Sequence, residues 1–271
     1  MQSTWPFLQS EHTGRRSPWA ELRRRLAATH VITGGLNAGK RLAVRRPHPD
    51  FLNGTYEAVI QGVIAERLNV GGVFYDVGAN IGFFSLLAAS RVGPDGAVYA
   101  FEPVPANASS IRRSARLNSF SNIAVFEEAV AESSGRANLI LTRHIGGAAL
   151  ASGRSPGDLS HDVTGEIEVA VTTLDDAIAA RGLRPPTFVK IDVEGAELSV
   201  LRGMRDTLAR HRPAVLYEID DATLAGVSRK REAIENVLSE AGYRSAPLPD
   251  AYPDIEWQVA HALALPADAA A

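Results

Sequence analysis

From residue 54 onward, short apolar runs take turns with longer amphipathic stretches. Gly72-Val-Phe-Tyr-Asp-Val77 is a compact β-branched and aromatic run that reads as a buried strand, with a helix over residues 81–91 directly behind it. Ala97 to Glu102 reads as a second strand, and residues 106–118 as a second helix beyond the turn marked by Pro103 and Pro105. Further strands are expected at Ile123–Phe126, prolonged towards Val130, and at Pro186–Asp192, Pro213–Ile219 and Val259–Leu265. Helices are expected over 196–210 and 229–241. Strands alternating with helices of this length form βαβ units, which build a parallel sheet with helices on both faces. Residues 137–141 and 166–171 break the rhythm with strand-like alternation. Between them, a Gly/Ser/His/Asp-rich stretch over 142–165 is longer than a compact domain usually carries, so it reads as a substrate lid or an irregular excursion.

Charge and composition exclude several classes. The 271 residues contain 28 basic and 31 acidic side chains, for a net charge of −3, and 45% are hydrophobic, the balance of an ordinary globular protein. The absence of cysteine rules out a thiolate metal site and a cysteine nucleophile. Residues 1–50 hold nine basic and three acidic side chains, a net +6, which leaves −9 for the rest. This basic N-terminal arm has too few large apolar residues for a core of its own and reads as a helical lead-in or cap. No apolar run approaches the roughly 20 residues of a membrane span. No signal-peptide pattern opens the chain, so a cytoplasmic location is expected. The residues from 268 to 271 are expected to fray.

The stretch richest in chemistry is Asp76-Val-Gly-Ala-Asn-Ile-Gly82. A strand ends in a carboxylate, a glycine turn follows, and a helix starts at once, at the strand end where open α/β sheets bind their ligands. A dinucleotide site requires G-x-G-x-x-G. Here Asn80 takes the place of the middle glycine, one residue separates the last two members, and Asp76 would repel a pyrophosphate. A cofactor with a cationic centre and no phosphate, such as S-adenosylmethionine, suits the loop better. Glu102, ending the second strand, is placed to accept hydrogen bonds from two ribose hydroxyls.

At this point the sequence resembles the FkbM family of S-adenosylmethionine-dependent methyltransferases. The matching blocks are Gly54-Thr-Tyr-Glu57, Phe74 to Gly82, Val98 to Pro105, Thr173-Leu-Asp-Asp176, Val189 to Glu197, and Arg212-Pro213 leading to Glu218. The resemblance implies a class I, Rossmann-like methyltransferase fold over residues 51–267. Its mostly parallel seven-stranded sheet would carry helices on both faces and an antiparallel last strand. It also implies O-methylation of a sugar, glycolipid or secondary metabolite. By position, Asp76, Gly78, Asn80 and Gly82 correspond to the methionine-side loop and Glu102 to the ribose ligand. Glu128 and Ala129 would lie against the adenine, and Tyr56, beside Glu57, could cover the cofactor.

Methyl transfer to an alcohol requires a collinear arrangement and removal of the hydroxyl proton. Lys190, Asp192 and Glu194 fall at alternate positions, hence on one strand face, and Glu218 ends the neighbouring strand. Lys190 is expected to pair with one of these carboxylates. Asp192, with Glu194 or Glu218, could take the proton, or Asp192 and Glu218 could hold Mg²⁺. His144 could reach in as a base with the loop, and Arg143 could bind an anionic acceptor; His161 and Asp162 carry less weight. Asp175-Asp176 is read as the first turn of a helix capped by Thr173. The expected partner is a small-molecule or glycan acceptor, with homo-oligomerisation left open. The acidic body argues against a nucleic acid. Two other readings are a cofactor-binding module without turnover and a nicotinamide oxidoreductase, the latter disfavoured by the loop spacing.

Overall fold

The structure, a computed structural model, describes residues 29–142, 148–150, 163–251 and 258–269. Its first element is a hairpin of β1 (His30–Val31) and β2 (Arg41–Leu42), closed by a 3₁₀ turn at Gly35–Asn37. The described part of the basic arm is therefore a hairpin and not a helix, and residues 1–28 lie outside the described residues. Helices α1 (Pro49–Asn53) and α2 (Ala58–Arg67) lead into β3 (Val73–Val77), α3 (Phe83–Val92), β4 (Ala97–Phe101), α4 (Pro105–Leu117) and β5 (Ile123–Phe126). Next come β6 (Glu128–Val130), β7 (Gly135–Thr142), β8 (Ala148–Leu150), β9 (Val163–Thr172) and α5 (Leu174–Arg181). The chain then forms β10 (Phe188–Ile191), α6 (Glu197–Arg202), α7 (Arg205–His211), β11 (Ala214–Asp221), α8 (Leu224–Glu240), β12 (Tyr243–Pro247) and β13 (Gln258–Pro266).

Seven strands form one sheet in the order β12-β13-β11-β10-β3-β4-β5. The pairs from β11 to β5 are parallel, and β13 is antiparallel to both of its neighbours. This is the class I methyltransferase architecture, with β13 as the expected antiparallel strand. The edge strand β12 has no counterpart in the strand pattern of the sequence, since its run Tyr-Arg-Ser-Ala-Pro is polar and half exposed.

Alternation along the strands divides the core in two. Val73, Tyr75, Val77, Val189, Ile191, Val215 and Tyr217 face α5 to α8, where Leu174, Leu201, Leu208 and Ile234 cover them. Phe74, Phe188, Leu216 and Leu263 point the other way, into a cluster with Ile60, Phe83, Leu86 and the hairpin's Ile32 and Leu42. Each large side chain so buried contributes about 2–3 kcal/mol, which makes the period of two a strong constraint on register. Polar contacts lock the hairpin onto this face. Asn37 Nδ2 donates to the Phe83 carbonyl at 2.9 Å, and the Ala43 amide donates to Ser114 Oγ at 2.9 Å.

Two expectations on element boundaries change. The third strand does not run on to Val130: β5 stops at Phe126, and after Glu127 the chain enters a second, four-stranded sheet ordered β6-β9-β7-β8. The strand-like segments on either side of the long loop are β7 and β9, antiparallel partners within that sheet. The helix over 196–210 is two helices. A Cβ at Gly203 would lie 2.0 Å from the Ala131 carbonyl oxygen, so the chain can cross the second sheet only by breaking there. Thr173 caps α5 as expected, its Oγ1 accepting from the Asp176 amide at 2.9 Å.

Candidate active site

The site lies where the sheet's parallel strands end, on the face that carries α2 and α3. One residue pair in each of four strands builds it. Phe74, Phe188 and Leu216 occupy the core on this face, so two residues further on Asp76, Lys190 and Glu218 emerge from it. In the antiparallel β13 the same alternation runs backwards, from Leu263 to His261. Register then aligns them. Lys190 stands directly beside Asp76 of β3, and Glu218 directly opposite His261 of β13.

The glycine turn after β3 is built by close approach. A Cβ on Gly78 (φ +80°) would sit 1.7 Å from the Asp192 carbonyl oxygen, so glycine there lets the β3 and β10 ends meet. Asn80 adopts the left-handed region at φ +50°, and Gly82 at φ +83° starts α3. The Asn80 amide donates to Glu102 Oε2 at 2.8 Å, the Val104 amide to Oε1 at 2.9 Å, and Asn107 Nδ2 to Oε1 at 3.3 Å. Glu102 thus fastens the loop to β4. Burial raises its pKa to about 7, against the pull of those three donors. Asp76 is 1% exposed and accepts from Ser85 Oγ at 2.5 Å through Oδ2. Its buried Oδ1 has no hydrogen-bond partner among the described residues. Burial pushes the Asp76 pKa up, and the neighbouring Lys190 charge opposes that shift.

Lys190 is the cation at the centre of the group. Its Nζ lies 2.6 Å from Asp192 Oδ2 and 4.8 Å from the centre of the Phe84 ring. Burial works against its charge, yet Asp192, Asp76 and Glu57 together hold the ammonium above the ordinary lysine value. The expected pairing of Lys190 with a neighbouring carboxylate is therefore with Asp192. The face expected to carry Lys190, Asp192 and Glu194 is shorter than the alternation suggests. β10 ends at Ile191, Asp192 follows it, and Glu194 lies in the turn beyond at φ +56°.

Glu218 does not end its strand, because β11 continues to Asp221. Its Oε2 is 2.8 Å from His261 Nε2. Burial first, then the charges of Asp192, Glu57 and Glu194, raise its pKa well above the usual glutamate range. Burial holds His261 neutral, lowering its pKa to about 4.

Glu57 completes the group, 3.7 Å from the same Nε2. Gly54 places it there. That glycine (φ +73°) ends α1 so close to the hairpin that a Cβ would lie 1.9 Å from the Gly34 carbonyl oxygen. Gln61 Nε2 then donates to the Gly54 and Tyr56 carbonyls, fixing the turn that aims Glu57 (φ +45°) inward. Tyr56 packs against Phe51, Phe83 and Phe84, with ring centres 4.1, 5.8 and 6.0 Å away.

Two expected members take up other partners. The Glu128 carboxylate accepts two bonds of 2.7 Å from Arg181 Nη2, and Ala129 packs with Leu139, Val169 and Val171 in the core of the second sheet. The switch of sheets after Phe126 carries both away from the line of β5. Asp192, expected with Glu218 as a pair of cation ligands, is paired with Lys190, and among the described residues the side chains that converge are Glu57, Glu218 and His261. Arg143, His144, His161 and Asp162 lie outside the described residues. The sequence gives little sign of His261, an imidazole amid the alanines and leucines of the last strand.

The family model for the methyltransferase FkbM domain matches residues 76–245. Over 182 residues the chain is 34% identical to the 31-O-demethyl-FK506 methyltransferase FkbM of Streptomyces tacrolimicus, covering 58% of this chain and 69% of that protein. Over 193 residues it is 29% identical to the hexuronic acid methyltransferase AglP of Haloferax volcanii, covering 66% of each. Among solved structures, a putative methyltransferase yhhF from Escherichia coli superposes with a TM-score of 0.51 at 14% identity, covering 88% of this chain and 98% of that one.

Proposed function

This chain belongs to the FkbM methyltransferase family, and from that premise we propose that it moves a methyl group from S-adenosylmethionine to a hydroxyl of a sugar, glycolipid or secondary metabolite. The observation that carries the reading is that a cofactor-type loop and buried acid–base groups share the same strand ends. The loop residues suit the cofactor. Asp76 Oδ1, buried and unpartnered among the described residues, fits a ligand cation, and the Glu102 carboxylate keeps lone pairs beyond its three donors for ribose hydroxyls. The two relatives are named for methylation of 31-O-demethyl-FK506 and of a hexuronic acid, which supports a small-molecule or sugar acceptor.

The cofactor supplies an electrophilic methyl on a sulfonium. With the cofactor bound, a C–O bond to the acceptor would replace the C–S bond, and the acceptor's hydroxyl proton would have to leave. We assign the proton to Asp192. Its side chain is 21% exposed, and Lys190 pairs with one of its two oxygens, Oδ2, at 2.6 Å. Lys190 stabilises the carboxylate before transfer, and the flanking aromatic group of Tyr56, Phe83 and Phe84 excludes water from one side.

Calorimetry of the folded protein with S-adenosylmethionine should give one binding event per chain, and Asp192→Asn should retain that affinity while losing methyl transfer to the acceptor. No heat at millimolar cofactor would overturn the reading. Undiminished transfer by Asp192→Asn would remove Asp192 from its role. A labelled product whose methyl is lost in mild alkali would be an ester, and would refute transfer to an alcohol.

A further inference from the structure

The proton transfer just described does not use Glu57, Glu218 or His261. They come from three elements: the residue ahead of α2, the middle of β11 and the middle of β13. We propose that these three side chains bind one divalent first-row transition-metal cation, placed to receive the acceptor's hydroxyl oxygen; this rests on the methyl-transfer reading above.

Geometry is the first support. His261 Nε2 lies 2.8 Å from Glu218 Oε2 and 3.7 Å from Glu57 Oε2, and the three atoms all fall within 4.8 Å of one another. Bonds of about 2.1 Å in tetrahedral or octahedral array put neighbouring ligand atoms about 3–3.5 Å apart, so small side-chain shifts bring all three onto one ion.

Charge is the second support. Among the described residues, Lys190 acts on Asp76, Asp192, Glu57 and Glu218, four carboxylates that share a largely buried space. Carboxylates taken from water must be neutralised by protons or by cations. A divalent ion between Glu57 and Glu218 would place positive charge beside both carboxylates.

The donor set selects the metal. One imidazole with two carboxylates suits Mn²⁺, Fe²⁺ or Zn²⁺, whereas Mg²⁺ and Ca²⁺ prefer oxygen alone. The site also has an open side. The Glu57 and His261 side chains are 0% and 3% exposed and form the floor, while Glu218 keeps 13% in solvent next to Asp192. A cation held there would present its free positions towards the carboxylate that takes the proton, which is where an alcohol must bind to lose it.

The test uses the full chain, stripped with chelator and desalted, then titrated with Mn²⁺ and with Zn²⁺. One equivalent should bind. His261→Asn and Glu57→Gln should each weaken affinity at least about tenfold, while Glu168→Gln, on the exposed face of β9, should change it by less than about threefold. Glu57→Gln preserves shape, so a folding failure of His261→Asn would still leave a decisive variant. Parallel titration with S-adenosylmethionine separates the two proposals. Cofactor binding without cation binding would overturn the metal site alone, and no cofactor binding would overturn the underlying function. Equal cation affinity in the wild type and Glu57→Gln would also refute the site.

Discussion

Replacing Lys190 with methionine removes one charge and almost no volume, and the structure sets what that should do. The ammonium is 4% exposed and 2.6 Å from Asp192 Oδ2, and it stands beside Asp76 in the strand register. A methionine keeps the apolar stem in place and leaves two carboxylates without their counter-charge. Removing one member of a buried pair costs about 3–5 kcal/mol. Asp192 keeps 21% of its side chain in water and can be hydrated once released, so the lower end applies, about 3 kcal/mol near pH 7.5. Loss of the contact with the Phe84 ring adds under about 1 kcal/mol. In urea denaturation this should appear as a lower midpoint at an unchanged slope. The penalty should also depend on pH. Asp76 already has a raised pKa in the folded state, and Lys190 is what restrains it. Without Lys190 the folded pKa rises further above its unfolded value, so protonation stabilises the variant as pH falls. The gap between variant and wild type should therefore narrow from pH 7.5 to pH 5. A gap below about 1 kcal/mol, or one equal at both pH values, would refute this account of the site's electrostatics.

Two further outcomes follow from the same geometry. Gly78→Ala forces a Cβ to 1.7 Å from the Asp192 carbonyl oxygen at φ +80°. It should cost more than about 3 kcal/mol and lower the melting temperature by about 6–12 °C. Gly182→Ala, at φ +60° with open space around it, should cost only about 1–2 kcal/mol; equal losses in calorimetric melts would show that close approach is not what fixes Gly78. Glu197 is 2% exposed, and burial, then Asp220, raises its pKa from 4.5 to about 7. A raised acid contributes stability below its unfolded pKa and loses it as pH rises through the folded one, so between pH 4.5 and 7 wild type should lose ground to Glu197→Gln. The glutamine still accepts the Gly195 amide bond. The difference between the two proteins should change by about 3 kcal/mol across that window, and parallel stability curves would contradict it.

What the sequence made legible was local. The Val73–Val77 run, the glycine turn behind it and the pairing of Lys190 with a nearby carboxylate rest on neighbours within a few residues, and alternation offers Asp192 and Glu194 on the face of Lys190 without choosing between them. The boundaries that moved are set from a distance. Nothing in Phe126-Glu-Glu-Ala marks a departure from the main sheet; β6 leaves because β9 is there to pair with it. Gly203 looks like any glycine within a helical stretch until the Ala131 carbonyl presses against it. Glu57 and His261 lie 204 positions apart in the chain, and only the insertion of an antiparallel strand beside β11 brings them to one point. No periodicity encodes that meeting.

That insertion has a consequence for the order in which the protein acquires its parts during synthesis. The glycine turn, Glu102 and the parallel strands from β3 to β11 are all complete once residue 221 has been made. A ribosome-bound chain at that stage has every residue of the loop side but not His261, the residue opposite Glu218, nor the strand that pairs with the second edge of β11. The acid–base half of the site is therefore the last to close.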